Sequence, residues 1–215
     1  MGLRWLILRS VPSTMDVAWG LAPGPAVVAA LTQSAGRGRT GPWHSPPGGA
    51  YFSIVYPTNS PREAVPRAAV CTCKYLEGLG LKPRIRWPND ILVGEGKIAG
   101  ILAESRTSRG SVVNVGVGLN VRGRISEMVE GAVSLQELGV DVDPLGAILR
   151  VPLCVLRGSF NVYEEFGRRL AYLGEEVEIS GVRGEFLGID REFRALLRVG
   201  GRATAFLEGR MRKVK

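Results

Sequence analysis

The chain has 215 residues, of which 45% are hydrophobic and 22% are charged. These fractions are ordinary for a folded globular protein and exclude an intrinsically disordered chain, and the length allows one domain with a small second one. The formal net charge of +8 favours an anionic partner, such as a nucleotide, a nucleic acid or an acidic protein, without choosing among them.

The first residues predict a strand and a short helix rather than a targeting segment. The apolar run at residues 5–8 is too short for a secretory signal peptide, and no run in the sequence reaches the length of a transmembrane helix. Ser13-Thr14-Met15-Asp16 has the spacing of a capping box, which predicts a helix to about Trp19. The hydroxyls of Ser13 and Thr14 could also bind a carboxylate or a carbonyl at the helix amino terminus, although capping alone explains them.

A buried strand at residues 26–31 is followed by a loop rich in glycine, arginine and proline, residues 33–49. The glycines permit positive φ and let a ligand approach the backbone amides. Arg37 and Arg39 carry permanent charge suited to carboxylate or phosphate. This combination predicts a loop that closes over an anion, and the alternative is a solvated basic loop.

The glycines at 36, 38 and 41 also match the dinucleotide-binding fingerprint, G-x-G-x-x-G. That fingerprint requires a helix that begins at the glycines, so that the pyrophosphate meets its amino terminus. Prolines at 42, 46 and 47 exclude such a helix, and the dinucleotide interpretation is rejected.

The next elements are a strand at residues 50–56 and a helix at residues 66–77 that ends at Gly78. The three cysteines, Cys71, Cys73 and Cys154, match neither a zinc spacing nor a disulfide framework. They predict reduced thiols in the core of a cytoplasmic protein.

Residues 84–104 predict a turn at Asn89-Asp90, a strand, a tight turn and a second strand that begins at Lys97. Strict alternation places Lys97 on the same face as Ala99 and Ala103, whose small side chains leave room for a ligand. Taken alone, Asn89-Asp90 is more often a turn than a metal site, and a lysine at a strand start is more often solvated than catalytic.

Residues 111–121 predict a strand with two unlike faces. One face is wholly apolar, and the other carries Asn114, Gly116, Gly118 and Asn120. Glycines inside a strand often mark the close approach of a ligand or another backbone. Close sheet packing would explain the glycines but not the two asparagines, whose amides can donate and accept hydrogen bonds.

The remaining sequence predicts a short helix from Ser134 to Gly139 and a longer one from Pro144 to about Phe166, kinked at Pro152. Four short strands then predict a small barrel as a separate domain, residues 171–215, after a first domain of residues 1–170. The strands are residues 176–180, 184–190, 195–199 and 203–208, with a hairpin turn at Gly200-Gly201 between the last two.

Three blocks together resemble the biotin protein ligases. They are Gly36-Arg37-Gly38-Arg39 with Trp43 and Ser45-Pro46, Trp87-Pro88-Asn89-Asp90 with Lys97-Ile98-Ala99-Gly100-Ile101-Leu102, and Gly116-Val117-Gly118-Leu119-Asn120. The resemblance implies an α+β fold, a mixed sheet flanked by helices as in class II synthetases and biotin/lipoate ligases, joined to an SH3-like β-barrel. It also implies a two-step reaction in which biotin and Mg-ATP give biotinyl-5′-adenylate and pyrophosphate, and biotin then passes to a lysine of a biotin carboxyl carrier protein. A homodimer is implied by the family, whereas Ser13 lies too near the start for an amino-terminal DNA-binding domain, so no DNA partner is expected.

The resemblance also implies site residues. Lys97, Arg37 and Arg39 would be catalytic, since biotin carboxylate and α-phosphate repel each other and need preorganised positive charge between them. Asp90 would be the carboxylate for Mg²⁺. The implied biotin contacts are Ser13, Thr14, Gln33, Gly36, Arg37, Gly38, Arg39, Lys97, Gly100, Gly116 and Gly118. The implied ATP contacts are Arg37, Trp43, Trp87, Asn89, Asp90, Lys97 and Asn120.

The sequence departs from the family pattern at two positions. Only Pro42 lies between Gly41 and Trp43, where the family usually has two residues, and Met15 replaces a polar residue. Two other functions remain as alternatives. A lipoate–protein ligase is related in fold but is not expected to carry Trp-Pro-Asn-Asp, and a basic nucleic-acid-binding protein would need exposed aromatic residues that are lacking here.

Overall fold

The computed structural model describes residues 2–108 and 110–214. Within these ranges the backbone forms a seven-stranded sheet and a five-stranded sheet, with four α-helices. The first sheet contains β1 (Arg4–Val11), β2 (Ala26–Gln33), β3 (Ala50–Thr58), β4 (Pro83–Arg86), β5 (Asp90–Val93), β6 (Gly96–Thr107) and β7 (Ser111–Leu119). The second contains β8 (Glu176–Ile179), β9 (Val182–Ile189), β10 (Ala195–Val199), β11 (Arg202–Phe206) and β12 (Met211–Lys213). The helices are α1 (Thr14–Trp19), α2 (Ala64–Glu77), α3 (Pro144–Arg157) and α4 (Val162–Gly167), and 3-10 turns lie at Pro61–Glu63, Ile125–Glu127 and Gln136–Leu138.

The first sheet has the strand order β1-β2-β3-β7-β6-β5-β4. Only the β1–β2 pair is parallel, and the other neighbours are antiparallel, so the sheet is mixed. The second sheet, in the order β11-β10-β9-β8-β12, is wholly antiparallel. The predicted division between residues 170 and 171 stays a prediction.

Helices cover the two faces of the first sheet differently. The main core places α2 and α3 against one face, with Phe52, Ile54 and Leu76 fully buried, and burial of each such side chain contributes roughly 1.5–3 kcal/mol. On the opposite face the short helix α1 packs Ala18 on Val28 and Val55. Beyond α1 this face is covered by Trp43 instead of a helix, and it becomes the floor of the candidate site.

Strand β7 confirms the predicted alternation. Val113, Val115, Val117 and Leu119 are buried in the main core, and Gly116 and Gly118 lie on the opposite face. Gly118 pairs directly with Gly100 on β6, so two glycines lie side by side across the strands. The strand ends at Leu119, and Asn120 and Val121 lie just beyond it.

The predicted single helix from Pro144 to about Phe166 is wrong, and the kink at Pro152 stays a prediction. Helix α3 runs through Pro152 and ends at Gly158, and a second helix, α4, begins after Asn161, whose side chain accepts a hydrogen bond from Glu164 N. The break therefore lies at a glycine and a new capping residue, not at the proline. The sequence reasoning also missed β4 and β12, which are four and three residues long.

The prediction of reduced cysteines is also wrong, because Cys71 on α2 and Cys154 on α3 form a disulfide across 83 residues of sequence. Packing of the two helices brings these residues together, which their spacing could not show. Cys73 is the free cysteine and is buried, and burial raises the pKa of its thiol. Because two of the three cysteines form a disulfide, the cysteines no longer support a cytoplasmic location. That location stays a prediction. Within the described ranges, no helix is long and apolar enough to span a membrane.

Candidate active site

One end of the site is built from the amino terminus of α1 and the end of β2. Ser13 caps the helix by accepting a hydrogen bond from Met15 N. The backbone N–H and the hydroxyl of Thr14 both donate to Gln33 Oε1, at 2.9 and 3.1 Å, and the hydroxyl lies 2.7 Å from Ser53 Oγ. Gln33 donates through Nε2 to Ser45 Oγ at 2.9 Å. Buried hydroxyls and an amide thus form a polar network that can exchange hydrogen bonds with a small polar ring.

The glycine/arginine loop folds back over the glycine floor. Backbone hydrogen bonds from Trp43 N to Gly36 O, 2.9 Å, and from Gly38 N to Gly41 O, 2.8 Å, give it a hairpin-like shape. A Cβ at Gly118 would lie 2.3 Å from the indole of Trp43, and one at Gly100 would lie 2.8 Å from it, so only glycine permits this packing.

The Trp43 indole fills most of the space above the floor. The cavity left between indole, floor and Thr14 has a volume of about 50 Å³, whereas ligand pockets usually measure about 300–1,000 Å³. Among the described residues, the buried Trp43 Nε1 has no hydrogen-bond partner. An unpaired buried donor costs about 1–3 kcal/mol, and a ligand that displaces the ring or accepts a hydrogen bond from it would relieve that cost.

The two arginines of the loop are held by different partners. Arg37 donates to Asp16 Oδ1 at 2.6 Å and to Glu104 Oε1 at 3.3 Å. The hydrogen bond to Asp16 is the main reason that the pKa of Arg37 is raised. Arg39 donates through Nε to Asn89 Oδ1 at 3.3 Å and through Nη2 to the carbonyl of Gly209 at 2.8 Å. Both guanidiniums border the cavity, which supports the anion-binding loop over the solvated one.

Lys97 and Arg86 grip the two carboxylate oxygens of Asp90. Lys97 Nζ lies 2.5 Å from Oδ1 and Arg86 Nη2 lies 2.7 Å from Oδ2. Burial alone would raise the pKa of Asp90, but the two cations, Lys97 first, outweigh burial and hold that pKa below its usual value. The Lys97 ammonium also lies 5.2 Å from the centroid of the Trp43 ring.

Strict alternation predicted that Lys97 shares a face with Ala99 and Ala103, and this prediction is wrong. The β5–β6 register shifts between Ile91, which pairs with Ala99, and Leu92, which pairs with Lys97. This irregularity leaves Ile98 without a partner on β5 and reverses the face on which Lys97 lies. Its Nζ consequently lies 3.4 Å from the position of a Cβ at Gly100, on the glycine floor.

Three cavities meet at Lys97 and Trp43, which border all of them. The first is the small cavity on the glycine floor. The second, of about 620 Å³, is polar and extends toward the second sheet. The third, of about 120 Å³, lies between Trp43 and the segment of residues 125–132. The arrangement can hold two anionic molecules with their reactive ends at one ammonium.

The structure brings most of the predicted site residues together around these cavities. Those that border the first or second cavity are Ser13, Thr14, Gln33, Arg37, Gly38, Arg39, Trp43, Asn89, Asp90, Lys97, Gly100, Gly116 and Gly118. Asn120 borders the third and donates to the carbonyl of Val133 at 3.2 Å. Their individual ligand roles stay predictions.

Two predicted residues border none of the three cavities. A Cβ at Gly36 would lie 2.5 Å from the carbonyl of Trp43, so this glycine serves the close packing of the loop. Trp87 is 2% exposed and donates through Nε1 to the carbonyl of Phe193 at 2.9 Å, which ties the first sheet to the second.

Sequence reasoning missed several residues of the site. Asp16 was interpreted only as part of a helix cap, and Glu104 only as the end of a strand, yet both bind Arg37. Arg86 precedes the Trp-Pro-Asn-Asp block and gave no signal of its pairing with Asp90. Arg212 on β12 and Arg210 just before that strand border the second cavity, at a distance in sequence that no local pattern could reveal.

The residues present do not fit a resident Mg²⁺ site. Both oxygens of Asp90 are engaged by cations, and the described part of the chain contains no group of three or more His, Cys, Asp or Glu side chains that could hold a metal. Mg²⁺ prefers several oxygen ligands and is commonly held by substrate phosphates. The prediction of Asp90 as a metal ligand is therefore not supported, and Asp90 serves as the ion-pair partner of Lys97.

The chain belongs to the biotin/lipoate A/B protein ligase family, whose model matches residues 7–121. It is similar to the bifunctional ligase/repressor BirA of Bacillus subtilis, with 34% identity over 69% of this chain and 50% of the relative. It is also similar to the biotin–[acetyl-CoA-carboxylase] ligase of Paracoccus denitrificans, with 38% identity over 64% of this chain and 65% of the relative. The chain thus spans about half the length of the Bacillus protein that it matches.

Among solved structures, the fold is similar to that of the biotin protein ligase from Aquifex aeolicus in complex with biotin and ATP. The TM-score is 0.84 at 26% identity, over 98% of this chain and 99% of the other. The likeness covers both sheets and confirms the predicted fold class, a mixed sheet with helices joined to a small carboxy-terminal β-domain.

Proposed function

We propose that this protein is an ATP-dependent biotin ligase that forms biotinyl-5′-adenylate and transfers biotin to a lysine of a biotin carboxyl carrier protein. The observation that carries the proposal is the meeting of three cavities at Lys97. Such an arrangement suits a reaction between two bound anions, because the ammonium lies where their charges would come together.

Each cavity suits one part of the substrates. The network of Thr14, Gln33 and Ser13 can exchange hydrogen bonds with the polar ring of biotin, and the glycine floor can accept the rest of a flat ring. The small cavity beside Trp43 and Ile125 suits a nucleobase, and the polar second cavity suits the phosphates.

In the first step a carboxylate oxygen of biotin attacks the α-phosphorus of ATP. The bond from that phosphorus to the oxygen bridging the β-phosphate breaks, and its electron pair leaves on pyrophosphate. Lys97 and Arg39 would offset the repulsion between carboxylate and phosphate without a costly rearrangement, since Asn89 and Asp90 already hold them in place. In the second step the lysine amine of the acceptor attacks the biotinyl carbonyl, and AMP leaves with the electron pair of the broken C–O bond.

Ligand entry requires movement of Trp43. Its indole covers the floor on which biotin would lie, so the loop must open or the ring must rotate before binding. Once the ligands are in place, Arg37 and Arg39 can close the loop over the adenylate and keep water from it. A homodimer remains an expectation from the family.

The test is exchange of labelled pyrophosphate into ATP by the purified protein, with biotin, with lipoate or without either. We expect exchange that depends on biotin. Lys97→Ala should abolish most of it, and Lys82→Ala, at an exposed position outside all three cavities, should leave it unchanged. Exchange that responds to lipoate alone would identify a lipoate ligase, and exchange that needs neither acid would refute the proposal.

A further inference from the structure

The glycine/arginine loop is anchored to the elements around the first cavity through Arg37. The guanidinium donates through Nη1 to Asp16 Oδ1 on α1 at 2.6 Å and through Nη2 to Glu104 Oε1 on β6 at 3.3 Å. The two backbone hydrogen bonds that shape the hairpin of residues 36–43 join the loop only to itself. Attachment of the hairpin to a helix and a strand therefore depends on side chains, and Arg37 supplies two of these contacts.

Glu104 is held in place independently of the arginine. It lies on β6 opposite Asn114 of β7. Its second oxygen, Oε2, accepts a hydrogen bond from Trp19 Nε1 at 2.7 Å, and Cζ of Arg106 lies 4.0 Å from the centroid of the Trp19 ring. A carboxylate fixed through one oxygen loses less conformational freedom when the other oxygen binds a cation. The contact with Arg37 is therefore stronger than an isolated surface ion pair, which contributes little.

The two arginines of the loop differ in how their charges are matched. Two carboxylates, Asp16 and Glu104, face the single guanidinium of Arg37. Arg39 donates to neutral groups, Asn89 Oδ1 and the carbonyl of Gly209, and these contacts leave its charge uncompensated. Arg39 is therefore suited to binding an anion, whereas Arg37 is suited to positioning the loop.

We propose that Glu104 and Asp16 are positioning residues that keep the loop over the bound adenylate by anchoring Arg37. This inference rests on the proposed function, which supplies the adenylate. The partners of Arg37 lie on α1 and β6, so the Trp43 indole can leave the floor while this end of the loop stays attached. Without the two carboxylates the open loop becomes more populated, and the adenylate leaves faster.

The experiment measures how fast labelled biotinyl-5′-adenylate dissociates when an excess of unlabelled adenylate is added. Glu104→Gln keeps an oxygen for the Trp19 N–H but removes the charge that Arg37 meets, and Asp16→Asn removes the other charge. We expect dissociation about threefold faster for each, and about tenfold faster for Arg37→Gln, which loses both partners. Because Glu104 acts through Arg37, the double variant Arg37→Gln/Glu104→Gln should dissociate at the rate of Arg37→Gln alone.

Glu185→Gln is the matched control. Glu185 pairs with Arg198 at 2.8 Å, has 42% of its side chain exposed against 39% for Glu104, and borders none of the three cavities. Its variant should release the adenylate at the wild-type rate. An unchanged or slower rate in folded Glu104→Gln, or an equal acceleration by this change with and without Arg37, would overturn the positioning role. A melting curve is recorded for each variant, and Asp16→Asn decides the question if Glu104→Gln does not fold.

Amide exchange in the ligand-free protein tests the anchoring independently of the ligase reaction. Residues 36–43 should exchange faster in Glu104→Gln than in the wild type or Glu185→Gln, whether or not the protein uses biotin. Equal protection of these residues in all three proteins would refute the anchoring by Glu104. A lack of biotin-dependent pyrophosphate exchange would instead refute the ligase function, and the amide-exchange comparison would still decide the anchoring.

Discussion

Replacing Lys97 by alanine removes the one cation at which the three cavities meet. Its Nζ lies 2.5 Å from Asp90 and 5.2 Å from the Trp43 ring centroid, so the position of its charge is fixed before any ligand binds. Loss of one such preorganised group typically costs about 10²–10³ in rate. We expect the rate of adenylate formation to fall by about that factor.

The same change should also destabilise the fold, which the sequence alone did not suggest. Asp90 has 15% of its side chain exposed, and after the change it would keep only Arg86 as a partner. A lost hydrogen bond to a charged group costs about 1.5–3 kcal/mol, which corresponds to roughly 3–12 °C in melting temperature for a chain of this size.

The pH dependence follows from the depressed pKa of Asp90 in the folded protein. A depressed carboxyl pKa contributes stability that is present above the unfolded pKa, about 3.9, and is lost as the pH falls through the folded pKa. Without Lys97 the folded pKa of Asp90 rises toward the unfolded value, so less stability remains to be lost in acid. The difference in unfolding free energy between wild type and Lys97→Ala should therefore shrink below about pH 4.

The assay is single-turnover formation of biotinyl-5′-adenylate, with a melting curve for each variant. Lys97→Arg keeps the charge on a wider, planar group and should rescue the rate only in part. Lys97→Ala/Asp90→Asn should recover stability, because no unpaired carboxylate remains, but not rate. Near-normal adenylation by a folded Lys97→Ala protein would refute the reasoning and return Lys97 to the role of an ordinary ion-pair partner.

Three further predictions concern the loop and the disulfide. Residues 36–47 should gain protection from amide exchange when biotin or the adenylate binds, and equal protection in free and bound protein would contradict loop closure. Arg39→Gly should stay folded but release the adenylate, detected as biotin on lysines of bystander proteins, and labelling of the proper acceptor alone would remove Arg39 from that role. Cys71→Ser or reduction should lower the melting temperature, since a loop of this length is worth roughly 4–5 kcal/mol in the chain-entropy model, and Cys73→Ser, outside the Cys71–Cys154 pair, serves as the control.

Patterns that depend on neighbouring residues could be interpreted from the sequence. The capping box at Ser134 is present in the structure, where Glu137 accepts from Ser134 N at 2.8 Å and donates back through its own N–H to Ser134 Oγ. The two faces of β7 follow from side-chain alternation alone. Three motif blocks in order were enough to indicate the family that the comparisons confirm.

Local rules failed where one extra residue changed a register or where partners were far apart. The irregularity at Ile98 turned Lys97 toward Gly100 instead of Ala99, because pairing with β5, not the run of β6 itself, decides the face. Alternation assumes an unbroken ladder, and nothing in residues 97–104 reveals that the ladder is interrupted.

By itself, the sequence determined the family, the two sheets and most of the residues that surround the site, since these depend on spacing within each motif. Only the tertiary structure decided the Cys71–Cys154 disulfide, the anchoring of Arg37 by Glu104 and the place of Arg212 beside the second cavity. Each of these joins elements more than 60 residues apart. Such contacts arise from how helices and sheets pack against one another. The free energy of that packing comes from contacts throughout the core, so no local sequence pattern predicts it.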